Sequence, residues 1–215
     1  MQAHRFLVLF ALAALETFAV SPPAVAAPPS STAPPSSTAP QSSAGAQSSA
    51  GAPQARQQAL TDLFARLRQA PDPDAAAPVR AVIVRLWGRS GSPTADLLMA
   101  RAESLLKAGD GATAGALLDR VVMLYPDWTL GWRRRAQSAL LQGDSEGAML
   151  DLDHALDIEP RDFMAMTELA ALMRAEGRNA PALELLRRAL DIDPQDDQLR
   201  HEAEQLERQI EGNRI

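Results

Sequence analysis

The chain has 215 residues, of which 46% are hydrophobic, with a formal net charge of −6 and no cysteine. Without cysteine it forms no disulfide and carries no thiol for lipid attachment, so an exported form must be held together by packing alone. The acidic balance argues against nucleic acid as a partner, because phosphate contacts need a basic face.

The first segment, residues 1–26, has the three parts of a secretory signal peptide. Arg5 supplies a positive charge, residues 6–15 are apolar, and residues 24–26 form a small-residue cleavage site. The apolar run stops at Glu16, which is too short for a bilayer that needs about 20 apolar residues. We therefore predict export, with the periplasm of a Gram-negative bacterium as destination and no stable membrane insertion after cleavage. An uncleaved membrane anchor is the alternative.

Residues 27–54 form a low-complexity segment of Pro, Ser, Thr, Ala, Gly and Gln, with no charge and no large apolar side chain. Such a segment cannot bury enough apolar surface to offset the entropy lost on ordering. We predict a disordered linker. A proline-rich recognition or glycosylation segment is the alternative for this composition.

Helical periodicity begins at Ala55 and predicts an N-terminal hairpin over residues 55–92. Leucine and phenylalanine recur at i, i+3, i+4 and i+7 over residues 57–70, and a second such stripe covers residues 78–88. Pro71 and Pro73 are expected to end the first helix. We expect the hairpin to cover the exposed end of the units that follow, since a terminal unit cannot leave its apolar face bare.

A repeat of 34 residues follows. Pro126, Pro160 and Pro194 are separated by that interval. The same interval separates the members of two further sets: Gly109, Gly143 and Gly177, and Ala114, Ala148 and Ala182. We divide the chain into units 95–128, 129–162 and 163–196, each made of two helices. The glycine ends the first helix in a left-handed conformation, and the proline follows the second.

These positions carry a resemblance to the tetratricopeptide repeat family over about half of the chain. Unit two shows the pattern in Trp132, Ala136, Gly143, Ala148, Ala155 and Pro160. Aliphatic residues replace the family's tyrosine and phenylalanine: Leu105, Ala139 and Met173, and Leu118, Leu152 and Leu186. The resemblance implies an all-α, right-handed solenoid of three repeats, whose first helices line a concave groove for peptides or partner helices.

The last segment, residues 197–215, is predicted to be a C-terminal capping helix. Its apolar stripe is narrow, and the remaining positions are polar: Leu199, Ala203, Leu206 and Ile210 form the stripe. Such a helix shields the last repeat and presents a solvated outer face. Three repeats with two flanking elements meet the approximate minimum for a stable solenoid.

The sequence gives little support for an enzyme. Its three histidines are His4, His154 and His201, and neither a nucleophile elbow nor a phosphate-binding glycine loop is present. Asp151 and Asp157 flank His154 on the helix, but a surface metal site needs more convergent ligands. The acidic residues around Pro194 do not form a calcium loop, because Asp196 stands where glycine is required. We predict no catalytic residue, no cofactor and no metal.

The resemblance places partner contacts on the first helix of each repeat, where methionines suit an adaptable binding surface. The predicted contact residues are Met99, Glu103, Leu130, Arg133, Arg134, Gln137, Met164, Thr167 and Arg174. Arg133 and Arg134 would hold a partner carboxylate through bidentate hydrogen bonds. The alternatives are that the arginine run is a solvated face paired to nearby acids, and that the whole stripe merely solvates a short superhelix.

The predicted function is therefore a non-enzymatic periplasmic scaffold that binds a peptide or helix of another protein in the concave groove. Two alternatives remain open. One is a self-associating structural solenoid, in which Trp128 and Trp132, or the hairpin with Trp87, bury against a second copy. The other is an accessory subunit of an envelope complex.

Overall fold

The computed structural model describes residues 47–212, with side chains from residue 54 onward. The predicted signal peptide and residues 27–46 of the predicted linker lie outside this range. Within it the chain forms helices and no strand, which confirms the all-α class. Among the described helices, none is both long enough and apolar enough to cross a membrane.

Nine helices follow one another in the described range. The first two form the hairpin, the next six form three pairs, and the last stands alone. Their bounds are α1 Gln47–Arg68, α2 Pro73–Trp87, α3 Pro93–Lys107, α4 Gly111–Leu124, α5 Thr129–Leu141, α6 Ser145–Ile158, α7 Phe163–Ala175, α8 Asn179–Ile192 and α9 Asp197–Gly212.

Left-handed glycines separate the two helices of each pair, as predicted. Gly109, Gly143 and Gly177 have φ values of 77°, 80° and 76°. After Gly143, the backbone N–H of Asp144 donates to the carbonyl of Ala139 at 2.9 Å, and the Asp144 side chain then caps α6 by accepting from the N–H of Gly147 at 2.8 Å. The tight turn therefore depends on a residue without Cβ and on an aspartate one position later.

Neighbouring pairs pack closely through small residues and an aliphatic core. A Cβ atom on Gly111 would lie 2.7 Å from Cβ of Leu141, so α4 and α5 approach too closely for any larger residue there. Leu118, Leu152 and Leu186 are at most 1% exposed, which confirms aliphatic packing where the family pattern has phenylalanine.

The hairpin forms, but its bounds differ from the prediction. Helix α1 begins at Gln47, inside the segment predicted as a linker. Helix α2 begins at Pro73, with the Asp72 side chain as its N-cap, and contains Pro78. Pro73 therefore starts a helix instead of ending one, since the missing N–H of proline is harmless in a first turn.

The position of the hairpin also differs from the prediction. Its buried apolar side chains belong to one cluster with repeats two and three, whereas repeat one has a separate core that includes Trp128. The aromatic ring of Trp87 lies between Phe64 at 5.8 Å and Phe163 at 5.3 Å. The hairpin packs there because Phe163, at the start of α7, offers an apolar partner.

The hairpin contacts each connection between one repeat unit and the next helix. These connections are residues 125–128, 159–162 and 193–196, and we call them the junctions. Trp128 Nε1 donates to the Trp87 carbonyl at 2.8 Å, the Arg161 guanidinium lies 4.4 Å from the Phe64 ring, and Gln195 Nε2 donates to the Ala70 carbonyl at 3.0 Å. The hairpin thus runs along the edge of the solenoid on which all three junctions lie.

Helix α9 closes the other end of the array, which confirms the predicted capping helix. Leu199, Ala203 and Leu206 are buried, and Ile210 packs against the same core. The exposed positions include His201, Glu204 and Arg208, so the outer face is polar.

We predict that Gly143→Ala lowers the free energy of unfolding by about 1 kcal/mol, because alanine in the left-handed region is strained. Gly88→Ala is the matched control: Gly88 has a φ of −65°, and an added Cβ would meet nothing closer than 3.4 Å. Urea denaturation should show a loss for Gly143→Ala alone. Equal effects of the two substitutions would contradict the assigned turn geometry.

A second prediction concerns Arg80, whose Nε donates to the carboxylate of Asp193. Asp193 is 1% exposed, so Arg80→Met leaves a buried carboxylate unpaired and should cost about 3 kcal/mol. Combining Arg80→Met with Asp193→Asn removes that charge and should recover most of the loss in chemical denaturation. If the double variant were no more stable than Arg80→Met alone, this ion pair would not be what secures the hairpin to the last junction.

Candidate partner-binding face

The first helices of the three repeats, α3, α5 and α7, share a face on which α2 also lies. We call it the inner face. Val84 and Trp87 of α2 line a cleft together with Met99 of α3 and Leu130 of α5. The face predicted as an open groove is therefore partly occupied by the chain's own hairpin.

The first cleft lies between α2, α3, α5 and α7 and has a volume of about 300 Å³. Six of the nine predicted contact residues line it: Met99, Glu103, Leu130, Arg133, Arg134 and Met164. They come from three different repeats, so the solenoid brings together residues far apart in the chain.

A second cleft of about 280 Å³ lies on the other side of α2, toward α9. Thr167 lines it, and Val84 and Met164 line both clefts. Val84 and Met164 therefore form a ridge that divides the inner face. Neither cleft includes Gln137 or Arg174; Gln137 is exposed, and Arg174 lies 3.9 Å from Glu202.

Two predicted contact residues are buried. Met99 and Arg133 are each 4% exposed, and Met99 belongs to the core of repeat one. Their place on the predicted stripe gave no sign of this, because the packing of α2 and α7 against them is not visible in the repeat spacing.

Arg133 links α5 to α7. Its Nη2 donates to Glu168 Oε1 at 2.5 Å and its Nε to Glu168 Oε2 at 3.1 Å, while Asp162 Oδ1 lies 3.8 Å from Nη1. Burial lowers the pKa of Arg133, but these two carboxylates more than offset that effect, and its pKa is raised above the ordinary value. The guanidinium is fully engaged within the chain.

Asp162 has two roles in the same network. Its Oδ1 accepts from the backbone N–H groups of Met164 at 3.1 Å and Ala165 at 3.0 Å, which caps α7. Burial raises the pKa of Asp162 and outweighs the opposing attraction of Arg133. The carboxylate thus fixes the start of α7, from which Met164 reaches the first cleft.

The other two arginines of the run are also paired with acids. Arg134 Nε donates to Glu103 Oε1 at 2.9 Å. Arg135 pairs with Asp151 and lies 3.5 Å from Asp119, with its guanidinium 4.6 Å from the Trp132 ring. This arrangement matches the alternative of a face paired to nearby acids, and it leaves Arg134, 29% exposed at its side chain, as the more accessible of the two predicted clamp residues.

His154 stacks edge-on to Trp132, with ring centroids 4.0 Å apart. Over the range that the structure describes, three or more His, Asp or Glu side chains nowhere converge on a possible metal position. The imidazole is therefore engaged in aromatic packing on the side of α5 that faces α6.

Sequence reasoning missed the residues that α2 contributes, Val84, Trp87 and Gly88. The 34-residue period ends before α2, so the repeat alignment could not assign them to the inner face. Trp128 was also missed as a lining residue, because it stands at a junction and not on the predicted stripe.

Comparisons with known proteins agree with this architecture. No protein-family model matches the chain. A TPR repeat-containing protein of Rhizobium etli is 35% identical over 79 residues, which are 37% of this chain and 39% of that relative. The chain thus matches well under half of the length of this curated relative.

Two solved structures share the fold. The Sgt2 TPR domain of Aspergillus fumigatus matches 58% of this chain and 84% of its own, at 20% identity and a TM-score of 0.53. The first TPR of Spaghetti (RPAP3), bound to an HSP90 peptide, matches 54% of this chain and 94% of its own, at 16% identity and a TM-score of 0.51. With the 34-residue period and the curated relative, these folds identify the chain as a tetratricopeptide repeat protein.

Proposed function

We propose that this chain is a non-enzymatic scaffold of the bacterial periplasm, which binds a segment of another protein on its inner face. The observation that carries the proposal is the first cleft, where residues from three repeats surround one concave site. The signal-like residues 1–26 support export. The Spaghetti domain, which has the same fold, was solved with a bound peptide.

The composition of the cleft suits a protein ligand. Met99, Leu130 and Met164 supply apolar surface, and the Arg134–Glu103 pair supplies polar groups at the rim. Protein-binding sites combine an apolar centre with a polar rim in this way, and methionines adapt to different side chains.

The test is site-specific photocrosslinking of the full chain in the periplasm. A photoreactive residue at Ala100, which is exposed and lines the first cleft, should give a discrete crosslink to another protein. Ala112 is the matched control, since it is exposed but lines a different cleft beside α4 and α6. An equal crosslink from both positions, or none from Ala100, would refute binding on the inner face.

Self-association is a second candidate function, favoured by three exposed apolar side chains of repeat one. Leu97, Met123 and Leu124 are 72%, 72% and 60% exposed, and large exposed apolar patches mark interaction sites. The tryptophans predicted to meet a second copy are engaged within the chain: Trp87 and Trp128 are 4% and 5% exposed, and the indole N–H of Trp132 donates to the Pro126 carbonyl at 2.7 Å.

Under this second function, the wild-type chain sediments as an oligomer, and the double variant Leu97→Ser/Leu124→Ser shifts toward the monomer because its contact loses apolar area. Leu150→Ser is the control, since Leu150 is 64% exposed on repeat two. A wild-type chain that stays monomeric at high concentration in sedimentation equilibrium rules self-association out.

A further inference from the structure

We infer that the partner segment is an extended peptide with basic side chains, which binds beside α2 instead of replacing it. This inference rests on the proposed function and adds the conformation and charge of the ligand. It starts from the division of the inner face: Val84 and Met164 line both clefts, which measure about 300 Å³ and 280 Å³.

The first step concerns whether α2 stays in place. Seven apolar side chains of the hairpin are at most 8% exposed: Leu60, Phe64, Leu67, Ala76, Val79, Ile83 and Trp87. Burying a large apolar side chain stabilises by about 1.5–3 kcal/mol. Even if half of this burial lies between α1 and α2 themselves, removing the hairpin costs on the order of the whole stability of a small domain. The partner therefore meets a face that α2 already divides.

The second step concerns the space that remains. A helix with its side chains is about 10–12 Å wide and rises about 5.4 Å per turn, so one turn fills roughly 400–600 Å³. Each cleft is smaller than that. An extended segment instead sends successive side chains to opposite sides of its backbone, so it can cross the Val84–Met164 ridge and place one side chain in each cleft.

The third step concerns charge. Three carboxylates line the second cleft, from Glu168, Asp196 and Glu202, against one arginine, Arg80. Arg80 is already paired with Asp193, and Asp196 is a second acid near it. Glu168 is held by Arg133, which also faces Asp162. Each of these arginines thus faces two carboxylates.

The first cleft is apolar at its floor and carries a further acid, Asp96, at its edge. The Asp96 carboxylate accepts hydrogen bonds from the backbone N–H and the hydroxyl of Ser90. A ligand with an apolar side chain for the first cleft and a lysine or arginine for the second therefore complements both, since opposite charges across an interface favour association.

The test measures binding of labelled synthetic peptides to the full chain by fluorescence anisotropy. The probe alternates leucine and lysine around a central proline, which prevents helix formation. One control peptide carries glutamate in place of each lysine. Another places the same leucines and lysines at helical spacing without proline. The extended basic peptide should bind, and neither control should compete with it.

The matched protein variants are Val84→Trp and Val82→Trp. Both valines are 37% exposed on α2, but only Val84 lines the clefts. Val84→Trp should fill both clefts and weaken the peptide at least about tenfold, whereas Val82→Trp should leave binding unchanged. Thermal unfolding of both variants verifies that the fold is retained.

Several results would overturn the inference: no detectable binding of the extended basic peptide at millimolar concentration, tighter binding of the helical or acidic control, or equal effects of the two tryptophan substitutions. The crosslink from Ala100 keeps the proposed function separate. A partner captured there through a helical or acidic segment would leave the scaffold function standing and refute the extended basic ligand.

Discussion

The docking of the α1–α2 hairpin along the three junctions is the interaction on which the rest of the structure depends. Repeat solenoids are otherwise quasi-one-dimensional, because each repeat contacts only its neighbours. Here Gln195 reaches the Ala70 carbonyl across 125 positions of the chain, and Trp128 reaches Trp87 across 41. The hairpin therefore couples the first and last junctions directly, which makes the repeats stable as one unit.

The same docking determines what the inner face can accept. Because α2 lies against Met164 and Leu130, a groove that three first helices would leave open becomes two clefts separated by a ridge. The buried face of α2 makes this division permanent, whereas its exposed residue Val84 sets the boundary between the clefts. Stability and binding selectivity thus arise from opposite faces of one helix.

Charge within the fold follows from the same close packing. Arg133 is buried between α5 and α7, and Arg80 lies between α2 and the last junction, so both must pair with acids inside the chain. A buried ion that lost its partner would be strongly destabilising. These arginines are therefore bound to structure, and the carboxylates around them leave the second cleft with an acidic rim.

The sequence by itself determined the repeat count, the turns and the aliphatic core, because these follow from local geometry. Gly143 must adopt a positive φ, and Leu152 recurs at a buried helical position wherever the period places it. Only the tertiary structure decided where the hairpin lies and which groove residues remain available. Arg133 occupies a predicted contact position, yet its exposure depends on Glu168 and Asp162, which are 35 and 29 residues away and come near only when α5 and α7 pack. Spacing within a repeat sets the direction of a side chain, whereas its burial depends on what the rest of the chain places above it.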